Sequence, residues 1–283
     1  MTKQPQQGTG ILRPWNDLSN ANRSGEFTST CSEYWRWKAN RLPRGFEAHA
    51  IGIDHSCRRA RTNTSILNDG YQIIPEVLTS SEVEALQVSL RTLDVAPGHR
   101  QLMRRVPAVG ALAVSAKILD LVAGALGVGA FPVRSIFFDK TPTANSLVPW
   151  HQDITIAVSE QVDLPGYGPW SKKAGVLHVQ PPIEVLESML TVRLHLDDCD
   201  EANGALCIIP GSHLYGRLNA SQIAEMRCQR SEVICAARAG DALLMRPLLL
   251  HSSAEAVSPT HRRIVHLEYA ARRGRSQSAR ECD

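Results

Sequence analysis

Residues 148–158 read VPWHQDITIAV. β-Branched residues alternate behind a proline, which is the pattern of a β-strand, yet this strand carries His151 and Asp153 two positions apart. Side chains at i and i+2 of a strand point to one face, so the pair can reach one shared point above it, as two ligands of a metal ion would. That geometry is cheap. The chain holds ten histidines and two more pairs of the same form, His195 with Asp197 and His266 with Glu268. The surroundings must choose among the three.

Working outward, the chain after residue 130 consists of short β segments broken by turns: 133–140, 148–158, 176–179, 190–197, 205–209, 232–237, 242–252 with a bend at Pro247, and 263–270. Helical interruptions fall only near 182–189 and 219–227. About eight strands at this spacing, without alternating helices, predict an antiparallel sandwich or barrel such as a jelly roll. Upstream, residues 71–74 predict a short strand, and Thr79-Ser80-Ser81-Glu82 is a capping box opening a helix with Val83, Leu86 and Leu90 on one face. A second helix is expected over 115–126, ending at Gly127. Both helices precede the three metal-site pairs and read as scaffold.

A jelly roll that binds a metal is expected to draw ligands from strands distant in sequence that face each other across the barrel. His251, in RPLLLHSS, ends an apolar strand late in the chain. If His151 and Asp153 lie on the second strand, His251 falls on the seventh, with four strands between. Starting from His195 leaves too few strands, and His266 follows His251. Two histidines and one carboxylate on one face of a metal leave three positions open, which suits non-haem Fe(II) in O2 chemistry; zinc more often sits in a closed tetrahedral site or keeps one open position. Iron that activates oxygen needs a second electron source. If that source is 2-oxoglutarate, its far carboxylate requires a cation, and Arg262, eleven residues past His251, fits the need with its planar fork. Arg263 points to the other face.

FFDKTPTANSLVPWHQD, LHLDDCDEANGALCIIPGSH and RPLLLHSSAEAVSPTHRRIVHLEY occur in order over roughly residues 68–271, and in this the chain resembles the phytanoyl-CoA dioxygenase family of Fe(II)/2-oxoglutarate oxygenases. The resemblance implies a mainly β domain with flanking helices and a double-stranded β-helix (cupin-like jelly-roll) core. It implies iron held by His151, Asp153 and His251 and 2-oxoglutarate held by Arg262, with Lys140 and Ser253 as further cosubstrate contacts. The implied reaction consumes O2, converts 2-oxoglutarate to succinate and CO2, and hydroxylates an unactivated C–H bond. Related halogenases need the carboxylate position vacated by a small residue; here Asp153 fills it. Where some relatives place an aromatic residue facing the cofactor, this sequence has Arg193, in line with Thr191 and His195. Either this face lines the pocket, adding charge near 2-oxoglutarate or an acidic substrate, or it packs under a helix with Arg193 paired to an acid. His195 is a further substrate-contact candidate, Asp197 reads as strand-end turn chemistry with Asn203-Gly204 supplying positive φ, and His213 reads as structural or as support for the site. Trp150 is expected to pack beside the metal strand. Residues 163–182 are too long and too rich in Gly and Pro for a hairpin and read as a lid. The other readings are a cupin-like Zn or Mn isomerase or hydrolase, which needs no Arg262, and a sensor that binds 2-oxoglutarate without turnover.

Composition bounds the rest. At 283 residues and 43% apolar content the chain can bury a real core. No apolar run reaches membrane-spanning length and the polar N-terminus lacks a signal-peptide core, so a cytoplasmic protein is expected. Seven scattered cysteines without a C-x-x-C pair predict free thiols. Residues 1–66 hold ten basic against five acidic residues and show no periodicity, so they read as a polar extension, partly disordered, with one aromatic cluster, EYWRWK, and one basic run, CRRAR. The folded domain is expected over 67–271, followed by a flexible tail at 272–283. Beyond residue 66 the balance is 21 bases to 23 acids, which argues for a small-molecule substrate and against nucleic acid. Neither the substrate's identity nor the oligomeric state is written in these residues.

Overall fold

The opening segment does not form one strand. In the computed structural model, which describes residues 58–59 and 65–271 apart from positions 95, 97, 174 and 258, strand β5 (Val148–His151) ends at the histidine and β6 (Ile156–Val158) belongs to another sheet. Gln152 makes the break. Its buried amide donates to the carbonyls of Gly216 and Leu248 (2.8 and 2.7 Å) and accepts from the Leu218 amide (2.8 Å), while the Asp153 amide donates to Pro247 O (2.9 Å). These bonds replace the ladder bonds a continuous strand would make.

Two antiparallel sheets form the expected jelly roll. The larger runs in the order β2 (Tyr71–Ile74), β12 (Ala242–Met245), β9 (Met189–His195), β14 (Arg262–Ala270), β4 (Phe131–Lys140), β3 (His99–Arg100). The smaller runs β1 (Arg58–Arg59), β11 (Val233–Cys235), β10 (Leu206–Ile208), β13 (His251–Ser253), β5, with only β1 to β11 parallel. Strand β1 and the buried Ile66 carry order into the segment read as an extension; the rest of that segment, including EYWRWK, and the 272–283 tail lie outside the described residues. The expected strand at 242–252 splits into β12 and β13, because the chain crosses between sheets at residues 246–250. There buried Arg246 donates to the carbonyls of Ala125, Glu187 and Met189, satisfying a helix end and the turn before β9.

Alternation gives the larger sheet two faces of opposite character. Leu190, Val192, Leu194, Val265, Leu267 and Tyr269 point outward into a core shared with helices α1 (Ser80–Leu90), α3 (Pro107–Ala113) and α4 (Ala116–Leu126). The Thr79 capping box forms as expected, and α4 ends at Gly127. Four-residue α2 (Leu102–Arg105) and α3 were not legible as helices; Pro107 opens α3 and supplies no amide where none is needed. Among the described residues no single helix is long and apolar enough to cross a membrane, and the bent α3–α4 pair buries Val109, Ala113, Ile118 and Val122 in this core. The inner face meets Leu206, Ile208, Val233 and Cys235 of the smaller sheet in an apolar half with Tyr71, Leu243 and Met245. The other half of the interior is polar.

The expected lid is ordered. It contains the strand expected at 176–179, β8 (Val176–Val179), in a hairpin with β7 (Trp170–Lys173) that the segment's length and composition did not predict; Gly175, at φ 82°, sits in its turn, and β8 also pairs with β6 to make a three-stranded sheet. Short helix α5 (Ile183–Glu187) leads into β9, and α6 (Ala220–Gln229) follows β10.

Candidate metal centre

His151 and His251 are paired residues on adjacent antiparallel strands β5 and β13, with ring centroids 4.2 Å apart, rather than ligands facing across the barrel. Asp153, just past the break made by Gln152, turns its carboxylate to both: Oδ1 lies 3.9 Å from His151 Nε2 and Oδ2 lies 3.8 Å from His251 Nε2. One ligand atom from each of the three residues falls within 4.8 Å of the others. Each imidazole is oriented alike, with Nδ1 against the carbonyl two residues back, Pro149 O or Leu249 O, at 2.8 Å. An Nδ1–H donated there leaves Nε2 as a lone pair aimed at the shared point.

The charge states suit a cation. Burial pushes the His251 imidazole down to about 4, although Asp153 opposes it, so the ring is neutral at pH 7. Burial would raise the Asp153 carboxyl, but its electrostatic interactions with His251, His266, His151 and Arg134 prevail and hold it low. A carboxylate, a neutral His251 imidazole and the Nε2 of His151 aimed at the same point make a donor set of the kind a divalent metal requires.

The other pairs do different work. Asp197 is taken by Arg263, accepting from its amide, Nε and NH2 at 2.6–2.8 Å, and not by His195. His195 is buried with Nδ1 unpartnered, and burial beside Arg193 and Arg262 pushes it down to about 3. His266 meets Glu268 at 3.2 Å, and Glu268 accepts from Arg134 at 2.9 Å, a buried network the sequence reading missed. Its signal was parity: Arg134, Arg193, His266 and Glu268 all lie on the inner face once the register is known.

Arg262 and Arg193 lie on that same face, on neighbouring strands, so Arg193 points into the barrel and not under a helix. Both are buried, each has an Nε without a partner, and burial followed by their mutual repulsion holds Arg193 down to about 10. Arg193 approaches His266 Nδ1 (3.2 Å) and the Phe138 ring; Arg262 meets the Cys199 thiol. Lys140 is the direct cross-strand partner of Arg262 and donates to Ser146 O (2.9 Å) and Ala254 O. Ser253 shares the inner face with His251, and its hydroxyl donates to Gly204 O (2.9 Å). Gly204 has φ 79° as the Asn-Gly turn predicted. His213 is structural, bonded to Leu67 O at 3.1 Å, and Trp150 lies under Arg227 of α6. Cys199 and Cys228 carry free thiols.

A jelly roll with two histidines and a carboxylate at adjacent strand ends defines a class, the cupin-like metal-site proteins. The chain belongs to the phytanoyl-CoA dioxygenase family, whose model matches residues 66–264. Solved structures share the fold. EctD from S. alaskensis, with 2-oxoglutarate and 5-hydroxyectoine, superposes at TM-score 0.58 and 20% identity, covering 77% of this chain and 81% of that one. HygX from Streptomyces hygroscopicus, with nickel, 2-oxoglutarate and hygromycin B bound, gives 0.54 and 21%, covering 73% and 84%. The epimerase SnoN from nogalamycin biosynthesis gives 0.55 and 18%, covering 73% and 78%. No curated protein matches the sequence.

Proposed function

We propose that this protein is a non-haem Fe(II)- and 2-oxoglutarate-dependent dioxygenase that hydroxylates an unactivated C–H bond of a small molecule. The observation that carries the reading is the company the metal cluster keeps. In the same barrel as His151, Asp153 and His251 stand two buried guanidinium groups, Arg262 and Arg193, with unpartnered Nε atoms and no ion-paired carboxylate among the described residues. Buried cations of this kind are costly unless an anion joins them, and a dicarboxylate cosubstrate is such an anion. A Zn or Mn isomerase or hydrolase would have no use for them.

Iron and 2-oxoglutarate, when bound, supply O2 activation coupled to decarboxylation of the cosubstrate to succinate and CO2. The protein's residues do the rest. His151, Asp153 and His251 would hold the metal. Arg262 receives the far carboxylate of 2-oxoglutarate with Arg193 beside it; Lys140 keeps a third N–H, and Ser253 keeps its oxygen lone pairs, for the same ligand. Phe138 and the apolar half of the interior exclude water from the reacting face. Asp153 fills the carboxylate position, which favours hydroxylation over halogenation.

Anaerobic addition of Fe(II) and 2-oxoglutarate should give a weak visible charge-transfer band, and O2 with substrate should then release succinate. No band would sink the oxygenase reading. A band without succinate over a broad substrate panel would favour a 2-oxoglutarate sensor.

A further inference from the structure

We infer that the substrate is an oxyanion, carrying a carboxylate or a phosphate that Arg100 receives. The inference builds on the cosubstrate assignment above and extends it to the second organic ligand. The inner face of the larger sheet carries five cationic side chains, Arg100, Arg134, Lys140, Arg193 and Arg262, against one carboxylate, Glu268. Asp153 adds a second acid from the facing strand ends, and Asp139, on the cavity wall, is engaged by His261 Nδ1 (2.8 Å) and the Arg262 amide. An iron dication and a 2-oxoglutarate dianion cancel each other, so binding both leaves the excess of positive charge in place.

Most of these cations are accounted for. Arg134 bonds Glu268, Lys140 bonds two carbonyls, and Arg262 with Arg193 serves the cosubstrate. Arg100 remains. It sits on edge strand β3 opposite Ile136, its guanidinium NH1 is buried without a partner, and its charged neighbours are Arg134 and Glu268. With Arg262 and Lys140 it lines a cavity of about 290 Å³ whose other walls include Ile136 and Phe138. That cavity therefore has a cosubstrate end at Arg262 and a second cationic end at Arg100. Lys173, on the rim hairpin and bonded to Thr155 Oγ1 (3.3 Å), adds its charge to those of Arg100 and Arg134. A guanidinium fork facing a cavity is suited to either oxyanion, which it can hold by two parallel hydrogen bonds.

The test uses the full chain, loaded anaerobically with Fe(II) and saturating 2-oxoglutarate, and titrated separately with methyl phosphate and with acetate. Binding is read by the rise in melting temperature and by ligand NMR. At least one anion should bind saturably, and which one binds tells a phosphate from a carboxylate substrate. Trimethyl phosphate and methyl acetate, the uncharged counterparts, should not bind. Arg100→Gln should weaken the anion's Kd roughly tenfold to a hundredfold, and Arg100→Lys should recover part of the loss. Saturable binding by neither anion, or equal affinity in wild type and Arg100→Gln, overturns the inference. The visible band on the same wild-type sample reports 2-oxoglutarate independently. Arg100-dependent anion binding without a band would uphold the anion site and sink the cosubstrate reading alone.

Discussion

Asp153 and His251 reach complementary charge states because their surroundings act in opposite ways. Burial removes the proton from His251, while electrostatic interactions with its neighbours remove it from Asp153. Replacing a ligand should therefore remove the metal: His151→Ala is expected to abolish the anaerobic band, whereas His195→Ala, outside the cluster, should still bind Fe(II) by equilibrium dialysis. The reverse result would transfer the site to the second pair. In the proposed reading Arg262 acts on the cosubstrate and not on iron. Arg262→Gln should raise the 2-oxoglutarate Kd about tenfold to a hundredfold, the loss of a charge-assisted hydrogen bond, with metal affinity retained. Gly204 supports the same region through backbone alone. Its φ of 79° and an added Cβ only 2.6 Å from Ala254 O leave no room for a side chain, so Gly204→Ala should lower the melting temperature and displace the Lys140 and Ser253 contacts.

Secondary elements were read well where local chemistry decides them. The capping box at Thr79 needs only residues three apart, and it starts α1 where the sequence indicated. Within it Glu82 also meets Lys117 from α4 at 2.6 Å, and the Lys117 bond followed by the Thr79 amide holds its carboxyl down to about 2. A carboxyl lowered in the folded state contributes stability above the ordinary carboxylate range and loses it as pH falls toward the folded value. The stability gap between wild type and Glu82→Gln should thus be present at pH 7, be no more than about 1 kcal/mol for so exposed a pair, and close between about pH 4.5 and 2. Urea titrations across that range measure it; a gap independent of pH would remove Lys117 from the account. Elements failed to read where distant partners decide. Residues 148–158 have continuous strand periodicity, but Gln152 bonds to residues 216, 218 and 248 and divides them. The 163–182 segment has loop composition, yet β8 finds both β6 and β7 as partners.

At the scale of the whole molecule, helices and the outer face of the larger sheet build an apolar layer, and the polar half of the interior carries the candidate site. Leu194 is fully buried in that layer, so Leu194→Ala should cost about 2–5 kcal/mol by chemical denaturation. Because metal and cosubstrate bind only the folded chain, adding both should raise the melting temperature in proportion to the logarithm of their concentration. Asp153→Ala should abolish that rise while Leu194→Ala lowers the baseline but keeps it; a rise that survives Asp153→Ala would separate the ligand site from the triad. Within the sequence itself lay the residue types and their parity: strand alternation predicted a jelly roll, and the order of His151, Asp153, His251 and Arg262 matched one family's motifs. Parity says which residues share a face, but not which strands are neighbours. Only the tertiary pairing set His151 directly opposite His251, assigned Asp197 to Arg263, put Glu268 between Arg134 and His266, and left the buried Arg100 NH1 without a hydrogen-bond partner. Those outcomes depend on register between strands up to more than a hundred residues apart, where contacts are selected by the packing of the whole and no local preference reports them.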